Sequence, residues 1–165
     1  MATTLATWII DPVHSSVEFS LDYMGFSTYR TGFRALEGSL AFLQRAFGFR
    51  EIRTARLVTP AGAIDHAMLE FGAGAIGIGP QGHHGAISPQ SSGIESQYIS
   101  VYVDDVDAHY QRAVGAGARI ATGLSDYVWG DRPYEAHRTY EALDLEGHRW
   151  RFHQWIREVP QSREH

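Results

Sequence analysis

The spacing of apolar and polar residues changes along the chain, and each change marks an element. Residues 16–23 alternate with period two and predict a strand, after a turn signalled by Asp11-Pro12. An extended stretch over 27–33 leads to residues 36–47, where helical spacing of apolar positions predicts an amphipathic helix. Residues 50–59 read as a strand. Residues 66–71 and 75–78 read as a hairpin turning at Gly72-Ala73-Gly74. Residues 79–97 are rich in Gly, Ser, Pro and Gln, the composition of a flexible linker. Residues 98–103 alternate as a strand, and Asp104-Asp105-Val106-Asp107 supplies an N-cap and acidic first turn for a second helix. Residues 118–122, 139–143 and 148–155 are predicted strands, with an aromatic-bearing loop at 124–133.

The two helical segments are near copies. Ala41-Phe42-Leu43-Gln44-Arg45-Ala46-Phe47-Gly48 aligns with Ala108-His109-Tyr110-Gln111-Arg112-Ala113-Val114-Gly115, an offset of 67 (111 − 44). Each ends at a glycine, Gly48 or Gly115, suited to a left-handed cap. Gly74 and Gly147 open similar segments further on, now offset by 73 (147 − 74). One unit therefore occurs twice. Two copies are too few for a solenoid, so the pattern predicts duplicated halves that pack together and share a cavity.

Composition narrows the chemistry. A chain of 165 residues with 44% apolar content suits one globular domain with a real core. There is no cysteine, which excludes disulfides, thiolate nucleophiles and sulfur-bound zinc. There is no lysine either; all 14 basic residues are arginine, which removes Schiff-base chemistry. A net charge of −5 argues against nucleic-acid binding. Residues 1–7 have neither the basic start nor the apolar run of a secretory signal, so no membrane association and a cytoplasmic location are expected. The loop pair His83-His84 lacks further convergent ligands and reads as solvated. The aspartates at 104, 105 and 107 lack the glycine and distal glutamate of a calcium loop and read as helix caps.

The second unit runs Tyr-Val-Asp-Asp-Val-Asp-Ala-His-Tyr-Gln-Arg-Ala (102–113), then Trp-Gly-Asp-Arg-Pro-Tyr (129–134), then Asp-Leu-Glu-Gly-His-Arg-Trp-Arg-Phe (144–152). It resembles the glyoxalase/bleomycin-resistance/dioxygenase, or vicinal oxygen chelate, superfamily over about 27–155. The resemblance implies an α+β fold of two βαβββ modules, 27–79 and 98–157, joined by a linker at 80–97 and curving into one mixed-sheet cup. A homodimer is also implied. Residues 8–40 resemble the start of YceI-like lipocalin-type proteins, which implies an added N-terminal β-hairpin over 1–26. Residues 158–165 form a tail.

In metal-dependent members, His, Glu or Gln stand at four equivalent strand positions. Carried onto this chain those positions are Thr28, Gly77, Tyr98 and Arg151, none suited to a hard divalent ion. The expectation is therefore no cofactor. The alternative is a divalent metal held by His66, Glu70 and His153. If Trp150 and Phe152 pack against helices, Arg151 and His153 face the cup beside Tyr98, Ser100 and Tyr102, with Tyr127, Trp129 and Tyr134 on the loop above. Glu70 or Asp131 is the expected partner of Arg151. This lining predicts a metal-independent binding protein of the bleomycin-resistance type, sequestering an aromatic or charged small molecule. The alternative functions are a metal-dependent lyase, isomerase or dioxygenase, and a lipid-binding or interaction module derived from the N-terminal segment.

Overall fold

The computed structural model of the chain describes residues 32–82, 85–95, 97–128 and 136–156. The first module contributes β1 (Gly32–Phe33), α1 (Leu36–Phe47), β2 (Arg50–Glu51), β3 (Leu57–Val58), β4 (Ile64–Phe71) and β5 (Gly74–Pro80). A short helix α2 (Pro89–Ser92) follows. The second module contributes β6 (Tyr98–Tyr102), α3 (Val106–Gly115), β7 (Arg119–Val128), β8 (Ala136–Leu143) and β9 (Arg149–Ile156). Each module forms its own mixed sheet. The orders are β1-β5-β4-β2, with β3 also on β4, and β6-β9-β8-β7. The duplication is visible in the pairing: β1 runs parallel to β5 as β6 runs parallel to β9, and the remaining pairs are antiparallel.

The helices form where the periodicity placed them. Asp105 caps α3 by accepting from the Ala108 amide at 2.9 Å, and Gly48 ends α1 at φ 78°. The second helix differs from expectation: it runs through Gly115, and the left-handed residue is Gly117. The apolar stripe of α1 (Leu40, Leu43, Ala46, Phe47) and Val106 and Ala113 of α3 join Leu69 and Ile78 of one sheet with Trp150 and Phe152 of the other in a single core. Both sheets turn their helix-bearing faces into this core, so the opposite face of each points away from it.

Polar contacts fasten the modules along the same seam. His109 hydrogen-bonds the Phe47 carbonyl through Nε2 at 3.0 Å, so its Nδ1 accepts from the Tyr140 hydroxyl at 2.6 Å. Burial lowers the His109 pKa and keeps the ring neutral. Arg112 donates to the carbonyls of Gln44 and Arg45, serving the exposed C-terminus of α1 with a cation. In return Glu146, in the β8–β9 turn, accepts from the backbone amides of Arg34 and Ala35 and from Arg34 Nε.

Three local expectations are corrected. Residues 50–59 are two short strands around a 3-10 turn (Arg53–Ala55), because only two residues at each end pair with β4. Residues 79–97 are anchored rather than flexible, as far as they are described. Ser88 caps α2 and bonds Gln81, and the Gln90 amide donates to the Glu146 carbonyl. Residues 124–128 belong to β7, paired with β8, rather than to a loop. The N-terminal hairpin lies outside the described residues. No helix among those described is long and apolar enough to cross a membrane.

Candidate functional site

The register of the second sheet decides which side chains meet. Ser100 lies opposite Arg151 and Tyr102 opposite His153. Across β9, Glu141 lies opposite Arg151, Thr139 opposite His153 and His137 opposite Trp155. Thr122 and Tyr127 stand beside Glu141 and His137 in turn. Trp150, Phe152 and Tyr140 occupy the core side. The outward face therefore gathers Tyr98, Ser100, Tyr102, Arg151 and His153, which were expected there, and Tyr127, which was expected on the loop above. Trp129 and Tyr134 lie outside the described residues.

Arg151 is paired, with a partner the sequence reading did not name. Glu141, only 9% exposed, takes Arg151 Nε at 2.7 Å and Nη2 at 2.5 Å on Oε1. Its Oε2 accepts from Arg149 Nη1 at 2.8 Å and from Thr122 at 3.1 Å. Burial works against the charge of Glu141, but the bonds from Arg151 and Arg149 outweigh it and hold its pKa below the ordinary value. The Arg151 guanidinium lies 4.6 Å above the Tyr98 ring, a cation–π contact. Glu70 stands instead on the first sheet, against Arg50. Asp131 is outside the described residues.

Next along the face is a cluster of rings. His153 Nε2 is 3.2 Å from Ser100 Oγ. Tyr102 and Trp155 are near parallel (4°) with centroids 5.8 Å apart, and His137 lies 4.0 Å from Trp155. The Thr139 hydroxyl is buried with no hydrogen-bond partner among the described residues. Burial, then the neighbouring His137 and Arg151, push the His153 pKa from 6.5 down to about 4.

That shift carries a pH dependence. The unfolded chain takes up the His153 proton at its ordinary pKa, and the folded chain resists it. Stability is then full above about pH 6.5 and declines as pH falls through 4, by roughly 3 kcal/mol at most. Urea midpoints measured from pH 7.5 to 4 are expected to fall for the wild type and to fall less for His153→Gln. Equal slopes would contradict a neutral His153.

The positions that would carry a divalent metal in the superfamily do not fit one here. Arg151 brings a cation already committed to Glu141 and Tyr98. Gly77 offers no donor, and the His66 and Met68 side chains crowd the space above it. Thr28 is outside the described residues. Within one chain the fallback ligands stand apart: His66 and Glu70 lie on β4 and His153 on β9, in separate sheets on faces turned from the shared core. Among the described residues no three His, Asp or Glu converge as a metal site.

Two half-open clefts lie elsewhere. One of about 290 Å³ is bordered by Ile87, Pro89, Ile94 and His148, and one of about 460 Å³ by Gln90, Glu95, Arg119 and Leu145. Both flank α2 and follow from its docking on the β8–β9 turn. The ring-bearing face is open in the single chain, with Tyr102 and Trp155 each 49% exposed.

Residues 33–152 match the family described as the glyoxalase/bleomycin resistance protein/dioxygenase superfamily. The chain belongs to this superfamily. An uncharacterized protein of Mycobacterium bovis is 35% identical over 116 residues, 67% of this chain and 72% of that one. TioX from Micromonospora sp. ML1 has a similar structure, with a TM-score of 0.61 and 32% identity over 78% of this chain and 97% of TioX. A superfamily enzyme from Burkholderia phytofirmans PsJN shares the fold at a TM-score of 0.57, with 21% identity over 81% and 98% of the two chains. The superfamily match starts at Phe33. The YceI-like resemblance of the N-terminal segment has no support beyond the sequence itself.

Proposed function

We propose that this superfamily member is a metal-independent binding protein of the bleomycin-resistance type, holding a small aromatic molecule against the outward face of the second sheet. The observation that carries this reading is Arg151. It stands where the resemblance implies a metal-ligating side chain, and Glu141 holds it in an ion pair amid Tyr98, Tyr102, His153 and Trp155. Rings with few polar groups suit stacking and apolar burial of a ligand. A single chain leaves those rings open, so the proposal includes a homodimer in which a second copy covers the face and shields the ligand.

The test is equilibrium dialysis of the full chain with 2-naphthol, alongside elemental analysis and light scattering. Expected are saturable binding, no stoichiometric divalent metal and a dimer at micromolar concentration. The variant Tyr102→Ala/Trp155→Ala is expected to weaken binding about tenfold or more, since two stacked rings contribute ~0.5–1.5 kcal/mol each beyond their burial. One equivalent of zinc, iron, manganese or nickel per chain, or binding indifferent to both substitutions, would overturn the reading.

A further inference from the structure

The described charged groups of this face are arranged so that they cancel. Arg149 and Arg151 contribute two positive charges, and Glu141 and Glu95 two negative ones. Both oxygens of Glu141 are filled, Oε1 by Arg151 and Oε2 by Arg149 and Thr122. Arg149 is bound a second time by Glu95, through Nη2 at 3.0 Å and through Nε. One face of the Arg151 guanidinium is covered by Tyr98. Asp126, the one carboxylate of β7, points to the helix side and is taken by Arg138. Arg119 sits at the far end of β7, in the wall of a cleft beside Leu145.

We propose that Glu141 sets the ligand class of this face: by engaging both arginines, it makes the face selective for an uncharged planar compound over anions and cations. The inference rests on the binding reading above and deepens it. An anion can take the Nε–Nη2 edge of Arg151 only by displacing Glu141, which would leave Oε1 of a buried carboxylate without its donors. Among the described residues of this face, a cation meets two guanidinium groups and no carboxylate with an open oxygen. A neutral ring meets neither obstacle. It finds the Tyr102–Trp155 pair, with His137 packed against Trp155. Without Glu141, Arg151 would be free to grip a carboxylate with two parallel hydrogen bonds.

Three probes sharing one ring test this on the full chain at pH 7.5 and low salt: 2-naphthol, 2-naphthoate and 2-naphthylmethylammonium. The wild type is expected to bind the naphthol at least tenfold more tightly than either ion. Glu141→Gln is expected to raise naphthoate affinity at least tenfold, and adding Arg151→Gln to remove that gain. Arg151→Gln alone, which opens Oε1 of Glu141, is expected to raise ammonium affinity at least threefold. That variant also decides the matter if Glu141→Gln does not fold. A wild type that binds either ion as well as the naphthol, or folded variants without these gains, overturns the inference and leaves the binding reading standing. If no probe binds the wild type, the binding reading falls, and this inference falls with it.

Discussion

Asp144→Ala is expected to lower unfolding free energy by about 3–5 kcal/mol, although Asp144 lies in a turn. Its buried carboxylate accepts from the Glu146 and His148 amides, each at 2.9 Å, from His148 Nδ1 at 2.8 Å and from Trp150 Nε1 at 3.1 Å. Alanine leaves all four donors without an acceptor. A buried donor left unmade costs roughly 1–3 kcal/mol, reduced where water follows the missing side chain. Two of those donors belong to side chains that are themselves buried, His148 and Trp150, so the turn cannot simply open to solvent. Asn at this position keeps one oxygen and is expected to lose about half as much. Guanidinium unfolding of the three proteins measures it. A loss under about 1 kcal/mol for alanine would contradict the network.

Phe47→Ala is expected to cost about 3–5 kcal/mol and to weaken both modules together. Phe47 is fully buried, and its ring lies 5.3 Å from Phe42, 5.5 Å from Trp150 and 4.9 Å from Phe152. A residue of the first module thus fills a hole in the second. Far-UV circular dichroism and tryptophan fluorescence are expected to give coincident transitions in the wild type, and to shift by the same amount in the variant. Two separated transitions would show that the modules hold themselves up independently.

Much of this arrangement was legible along the chain. Helical spacing placed α1 at residues 36–47, the Asp-rich turn placed the start of α3, and Gly72 and Gly74 placed the β4–β5 hairpin. Strict alternation over β6 and β9 put Tyr98, Ser100, Tyr102, Arg151 and His153 on one face, because strand periodicity is a local property. Glu141 and Thr139 were not legible as site residues. They alternate with buried Tyr140 and Ala142 inside a recognised strand, but which residue of β9 each one opposes is set by the length of the β8–β9 turn and by the core. Tyr127 was misplaced for a related reason. Gly123, Ser125 and Asp126 weaken the local strand signal, and pairing with β8 overrides it.

The contact between Glu146 and the amides of Arg34 and Ala35, just before α1, has a consequence for synthesis. The helix is made early, and the carboxylate that ties down the segment entering it arrives 112 residues later. At ~5–20 residues per second that interval is roughly 5–20 s. Throughout it the first helix can form, but the two amides that lead into it lack their carboxylate. The nascent first module is therefore a species that a chaperone or protease meets before the protein is whole. A ribosome stalled before residue 144 would hold it there, helical but with its entry untied, and with Phe47 still waiting for Trp150.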